Sequence, residues 1–462
     1  MPFPTRGNYC QPLDILATFF AKADAEKSRA KHNRYLEIPG FDPVLVTRDP
    51  EVVRAVFTAT GVGEGRLDRD TMPSTGIARA TGPDTLLFPN GPEWQTHRKA
   101  SAKAVGKTAL FTDEVFEEFE QTFRINVEQR IDELKHHFES SGKTEIEMAL
   151  EPEIKCIMIE MLLLNFFGAE VDPADIRQRY IPAIDKIIDH IVRDTIDYQF
   201  NFARFPRKKS TRKDLELEEA FSVVEHLTDL SMAPRAAGVC AWARVDQKWA
   251  DEDLRNNVKV FSAGALEATT SYAAWAMSHL ARNTQCQSRV FREVRSIDSF
   301  KTDAIDQAPW LKNVLRETLR LTPSLYFPTR RSVTDTWITA ARGGRMFLPA
   351  GTHVPLDVWY SNRVEEFWGE SKTGYPADEF HPERWDTIDE SGCSKDHLHF
   401  GFGHGARVCP GKHLSELEAS LVVGGIVKLF EFEAVAEDNE PKAGVSTKPL
   451  DGTRVRLRLR QE

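Results

Sequence analysis

Cysteine is sparse in this chain. Its six residues (Cys10, Cys156, Cys240, Cys286, Cys393, Cys409) are scattered, with no C-x-x-C pair and no secreted-type spacing. That excludes a disulfide framework and fits a reducing, cytoplasmic setting. Long apolar runs are absent too. The most apolar stretch, Ile157 to Phe167, carries Glu160 and Asn165 and is too short for a bilayer crossing, which takes about 20 residues. The N-terminal segment meets Asp14 before any apolar run builds up, so neither signal peptide nor transmembrane anchor is expected. Positive charge is not in excess: Lys plus Arg 60 against Asp plus Glu 70 leaves −10, which argues against indiscriminate nucleic-acid binding. Repeats and low-complexity tracts are missing, and 41% hydrophobic with 28% charged residues is ordinary for a soluble globular protein.

What is present is mostly helical periodicity. Polar sequence of helical character fills the first forty residues, followed by a strand signal at Val44–Val46 and an N-cap with proline at Asp49–Pro50. A loop-rich stretch runs from Gly61 to Pro92. The spacing then predicts helices over Trp94–Lys107, Asp113–Phe138, Ile154–Phe167, Asp175–Phe202, Asp214–Leu230 and Asp251–Arg282. Strand signals return at Thr336–Thr339, Met346–Pro349 and Val455–Leu459. Irregular sequence fills Pro376 to Gly411, and a last helix spans Lys412–Leu429. The expected organisation is one domain over 1–462, mainly α with small β-sheets. A β-rich lobe would comprise 35–60 and 330–370, and a helical lobe 94–320 and 395–430.

The sharpest signal is the run Phe400-Gly-Phe-Gly-His-Gly-Ala-Arg-Val-Cys409-Pro-Gly411, followed at once by a helix. Glycines permit a tight, backbone-exposing turn. A thiol just before a helix N-terminus meets free amides and the dipole, which stabilise its thiolate. Phe402 is placed to shield the sulfur, and Arg407 to offer a guanidinium to a carboxylate. A shielded thiolate at a helix start suits an axial haem ligand. Three other readings compete: a small buried cysteine, a dinucleotide pattern in Gly401 to Ala406, and a zinc site from His397, His399 and His404 with Cys409.

The string Phe402-x-x-Gly405-x-Arg407-x-Cys409-x-Gly411 resembles the ligand loop of the cytochrome P-450 family, the haem-thiolate monooxygenases. Other matches fall in the family's order. Glu317-x-x-Arg320 lies one helical turn apart, and Phe380-His-Pro-Glu-Arg384 resembles the family's second arginine segment. The resemblance implies a structural Glu317–Arg320–Arg384 network holding the ligand loop. Trp94 and Arg98 match a pair that holds a haem propionate. Arg330, with Arg331 as rival, and Arg407 match further propionate arginines. The implied fold is the family's helical prism, with haem b between the long central helix and the cysteine loop.

That central helix, Asp251–Arg282, holds Ala263-Gly264-Ala265-Leu266-Glu267-Ala268-Thr269-Thr270. Small residues such as Gly264 let a flat cofactor lie against it, and a carboxylate among apolar residues, Glu267, is a functional candidate. In the family an acid followed by threonine helps deliver protons to oxygen. Here Ala268 follows the acid, and Thr269 comes one place late, rotated by about 100° unless the helix bulges.

Electrons are expected from a separate ferredoxin, flavodoxin or flavoprotein reductase, and ultimately NAD(P)H, with dioxygen as oxidant. Lys99, Lys103 and Lys107, at i, i+4, i+8, form a positive stripe suited to an acidic redox partner. An apolar small-molecule substrate is expected against Gly61–Leu87, Asp175–Phe205, Ala265, Ala268, Leu325, Tyr326 and Phe327. The basic run Arg204–Lys213 reads as a solvated loop, with membrane-surface contact as its rival. The expected activity is insertion of one oxygen atom into an apolar group, by hydroxylation or epoxidation. Ala268 motivates an alternative: non-insertion chemistry (isomerisation, dehydration, oxidative coupling) or peroxide-driven oxidation. A non-enzymatic haem sensor is the third class.

Overall fold

A computed structural model describes residues 20, 32–37, 39–40, 42–61, 67–69, 76–82, 84–107, 113–200, 212–233, 251–297, 307–340, 344–392, 399–436 and 440–460. The helices used below are α1 (Pro50–Ala59), α2 (Gly76–Thr81), α3 (Gly91–Val105), α4 (Asp113–Ser140), α5 (Glu151–Met161), α6 (Ile181–Phe200), α7 (Arg212–Met232), α8 (Asp251–Arg282), α9 (Thr284–Val294), α10 (Pro309–Leu321), α11 (Val358–Ser361), α12 (Arg384–Glu390) and α13 (Lys412–Leu429). Strands are β1 (Asn33–Leu36), β2 (Val44–Thr47), β3 (Leu67–Arg69), β4 (Ile146–Ala149), β5 (Thr329–Ser332), β6 (Thr336–Thr339), β7 (Arg345–Leu348), β8 (His353–Pro355), β9 (Phe430–Ala434), β10 (Pro441–Ala443), β11 (Thr447–Pro449) and β12 (Arg454–Leu459). Among the described residues no helix is long and apolar enough to cross a membrane.

The chain forms two compact units. The first comprises residues 1–70, 316–409 and 440–448. Its five-stranded sheet has the order β1-β2-β8-β5-β3, and β6 pairs with β7 antiparallel. Asp49 starts α1 by accepting from the Glu51 amide (3.0 Å) ahead of Pro50, so the chain turns sharply out of β2. The apolar face of α1 (Val53, Val56, Phe57) buries against Leu348, Leu356 and Phe400, placing the cysteine loop beside this helix.

The second unit comprises residues 71–315, 410–439 and 449–462. It holds most of the helices and the sheet β4-β12-β9. α8, about 48 Å long at 1.5 Å per residue, is continuous and buried from Thr269 to Met277. α5 runs directly into a π-helical turn at Leu162–Phe167, which ends at Gly168 with φ 68°.

The bounds of α8, α13 and β6 coincide with those the periodicity predicts. Other expectations shift. Residues 33–36, placed in a polar helical stretch, pair with β2 as a strand; the rest of that stretch up to residue 31 lies outside the described residues except Phe20. Residues 61–92 contain β3 and α2, and the Pro376–Gly411 stretch contains α12. α3 ends at Val105 with Gly106 extended, so the helical stripe does not carry to Lys107. Residues 395–409, expected with the helical lobe, include 399–409 packed in the first unit. Residues 201–211, most of the basic run, lie outside the described residues.

Candidate functional site

The cysteine loop is built by glycine stereochemistry. Gly403 and Gly405 have φ of 71° and 72°, which side chains with a Cβ rarely adopt. At Gly405 a Cβ would also come 2.5 Å from the Phe57 carbonyl of α1, so the loop lies against that backbone. The Cys409 amide donates to Phe402 O (2.9 Å), and the Phe400 amide to Asn362 Oδ1 (3.2 Å). Cys409 is exposed, whereas Cys156 and Cys286 are buried. Phe402 is half-buried. Among the described residues no group of three His, Cys, Asp or Glu side chains is arranged to hold a metal ion, and His397 lies outside them.

Strand alternation separates the two rival arginines. In β5, Arg330 turns inward (2% exposed), while Arg331 turns outward to Asp42 (3.0 Å). Arg330 Nε donates to Thr60 Oγ1 (3.2 Å) and Nη1 to Thr329 O (2.9 Å), both neutral acceptors. Its guanidinium is pushed down to about 9 by burial first, then by the neighbouring cations Arg69 and Arg407. Arg407 is itself buried. Two buried cations that repel each other are what an anionic group with carboxylates would relieve. This part of the site therefore fits haem propionates.

Beneath the loop lies a fully buried charge network. Glu317 accepts from Arg320 Nε (2.9 Å) and Nη2 (2.7 Å), Arg384 Nε (3.1 Å), Trp385 Nε1 (3.1 Å) and the His381 amide (3.1 Å). Burial pushes its carboxyl up, yet Arg320, Arg384 and these donors outweigh burial and hold it below the usual range. Arg320 Nη1 donates to the Asn362 carbonyl (2.9 Å). Asn362 thus joins the network to the cysteine loop, a role no sequence signal marked.

The second unit carries the central-helix residues. α8 does not bulge, and each of the four positions around Glu267 takes its own direction. Ala263, Gly264 and Ala268 are exposed, and a Cβ on Gly264 would find nothing within 4 Å. This smooth strip fits a flat cofactor. Glu267, 3% exposed, meets Lys155 Nζ of α5 at 3.1 Å; Lys155 also pairs with Asp185 of α6, which is half exposed. The carboxylate's burial is therefore offset by a buried lysine, a partner the sequence did not announce. Thr269 turns into the interior, its Oγ1 3.2 Å from Ser415 Oγ of α13 and hydrogen-bonded to Glu418. It does not occupy the direction of Ala268.

Glu418 is fully buried, and desolvation pushes its carboxyl up to about 8, opposed by the Thr269 hydrogen bond. Between 4.5 and about 8 the unfolded chain releases a proton that the folded one keeps, so stability falls as pH rises across that window. Glu418→Gln is expected to remove this slope. The variant should match wild type near pH 4 and exceed it by ~4–5 kcal/mol at pH 9, read from urea midpoints. A difference that does not change with pH would overturn the assignment.

Other predicted positions divide. Trp94 is buried and Arg98 half-buried on α3. Lys99 and Lys107 are exposed, and the Lys103 side chain lies outside the described residues. Gly411 caps α13. Leu325 is 51% exposed, but Tyr326 is buried with its hydroxyl on Gly444 O (3.2 Å), and Phe327 packs near Phe20 and Val46. The structure does not bring these three side chains to one surface.

Residues 25–450 match the family model described as Cytochrome P450. The chain is 31% identical over 226 residues to cytochrome P450 monooxygenase FSL4 of Gibberella zeae, covering 45% of this chain and 39% of that protein. It is 30% identical over 223 residues to the mitochondrial 1,25-dihydroxyvitamin D(3) 24-hydroxylase of Mus musculus, covering 47% and 40%. A longer match, 23% identical over 442 residues, reaches cytochrome P450 52A3-B of Candida maltosa and covers 89% and 80%. The chain thus spans about two fifths of the length of the first two relatives. With a model match over almost its entire length and the cysteine loop folded as described, the chain belongs to the cytochrome P450 family.

Proposed function

We propose that this protein is a haem-thiolate monooxygenase of the cytoplasm that inserts one atom of dioxygen into an apolar small molecule by hydroxylation or epoxidation. The observation that carries this reading is the exposed Cys409 at the end of a glycine-forced turn, three residues ahead of α13, in the same unit as the repelling cations Arg330 and Arg407. When bound, a thiolate-ligated haem supplies the activation of dioxygen. The chain's own residues do the rest. Cys409 Sγ provides the ligand, with Phe402 and Gly411 in the surrounding loop. Arg330 and Arg407 take the propionates, with Trp94 and Arg98 in the same role by family resemblance. The Gly264–Ala268 strip of α8 leaves room for the flat group and, with Ala265, for substrate. Glu267 holds a proton-transferring carboxyl beside Lys155 Nζ, linked outward to Asp185. Electrons come from NAD(P)H through a ferredoxin, flavodoxin or flavoprotein reductase, for which the exposed Lys99 and Lys107 offer positive charge.

A second reading keeps the haem but not oxygen insertion. It is favoured by Ala268, a methyl group on the exposed strip, together with Thr269 turned away to Ser415 and Glu418. The visible spectrum of purified protein, reduced with dithionite before and after carbon monoxide, tests the first premise of both. A strongly red-shifted Soret band is expected. Turnover that proceeds without NAD(P)H and a reductase would then select the second reading, and absence of haem would overturn both.

A further inference from the structure

Asn257 and the half-buried Phe261 lie toward the N-terminus of α8 on the helical face that carries the exposed Gly264 and Ala268, since 257, 261, 264 and 268 fall at helical spacing. Asn257 is fully buried. Its Oδ1 accepts from the Leu86 backbone amide (2.8 Å), while Nδ2 donates to Asp253 O (2.7 Å) and faces His97 Nδ1 of α3 at 3.2 Å. A backbone amide only donates, so the Leu86 contact fixes which end of the Asn257 side chain is oxygen. Nδ2 is then the end of the side chain that faces His97 Nδ1. The preceding residue, Asn256, abuts Gly82 closely: a Cβ there would come 2.5 Å from the Asn256 side chain, and the φ of 88° disfavours one in any case. Gly82 and Leu86 thus meet α8 at two places, with α3 drawn in through His97.

We propose that Asn257 is a positioning residue for the substrate: through Leu86 and His97 it latches the Thr85–Phe88 segment onto the cofactor-facing side of α8. The latch lies about 10 Å along the helix from Gly264 and about 16 Å from Ala268, at 1.5 Å per residue. The half-buried Leu87 and Phe88 follow Leu86 directly, and so are held next to that face as an apolar wall. Opening the latch frees this wall, which makes Asn257 a determinant of how tightly an apolar molecule is gripped. The inference rests on the haem-thiolate reading, and its test separates the two.

Hydrogen exchange of the peptide spanning residues 84–90 is measured by mass spectrometry in the full-length haem protein and in Asn257→Leu. Binding of 1-phenylimidazole is titrated by its Soret shift in parallel. The variant is expected to lose about tenfold in protection of Leu86, the loss of one buried hydrogen bond, and to bind the azole about tenfold more weakly. Gly82→Ala, which forces the segment off Asn256 without touching Asn257 or His97, is expected to move both readouts the same way and covers the case in which Asn257→Leu does not fold. If the carbon monoxide band is intact while both variants keep wild-type protection and azole affinity, the latch is overturned. Loss of protection in a protein with no thiolate band would leave the latch standing and overturn the function instead.

Discussion

Replacing Glu317 with alanine is expected to destabilise the protein by about 3–5 kcal/mol, the cost of leaving buried charges without their partner. Four donors lose their acceptor at once: Arg320, Arg384, the Trp385 indole and the His381 amide. Both guanidiniums are 0% exposed, so water cannot replace the carboxylate without opening the fold. Each arginine keeps backbone acceptors (Ala377 and Asn362 carbonyls for Arg320, Tyr375 and Pro376 carbonyls for Arg384), which limits the loss to part of each site. Glu317→Gln, which retains one oxygen and the shape, should fall between alanine and wild type. Urea unfolding of the haem-bound protein measures this, and an alanine variant within about 1 kcal/mol of wild type would show that the network carries little. Because Asn362 passes from Arg320 to the Phe400 amide, loosening of the cysteine loop, and with it haem loss, should accompany the destabilisation.

Cys409→Ser is expected to abolish the red-shifted carbon monoxide band outright, because a serine hydroxyl supplies no thiolate to the iron. The control is Cys156→Ser. Burial, more than any neighbouring charge, pushes the Cys156 thiol up to about 11, so it stays protonated at neutral pH and is a poor ligand. That variant should keep the band and lose stability through its buried site. A band that survives in Cys409→Ser would move the iron ligand elsewhere and remove the roles proposed for Arg330 and Arg407.

Several features were determined by the sequence alone because they rest on neighbours along the chain. The bounds of α8 and α13 follow from helical periodicity, and Asp49–Pro50 starts a helix through contacts within two residues. Glu317 and Arg320 meet because they lie one turn apart. The cysteine loop is legible for the same reason: its glycines impose backbone angles that few other residues tolerate. α9 leaves a weak mark in the sequence because its apolar residues are few, and Cys286, Val290 and Val294 form a stripe only when its helix is already assumed. The short strands β1 and β3 are held by pairing across the sheet rather than by their own residues, so their sequences carry little signal.

Tertiary structure decided what depends on partners distant in sequence. Periodicity places Glu267 and Thr269 on α8, yet only packing against α5 gives the carboxylate its lysine, and only packing against α13 sends the threonine to Ser415. Arg330 and Arg331 are equivalent as letters; the pleat of β5 buries one and exposes the other. Asn257 and Asn362 look like ordinary polar residues until each is found fully buried, tying a backbone amide far along the chain to its own element. The physical reason is common to all of these. Burial sets how costly an unmet charge or hydrogen bond is, and burial is a property of the folded chain, not of its local sequence.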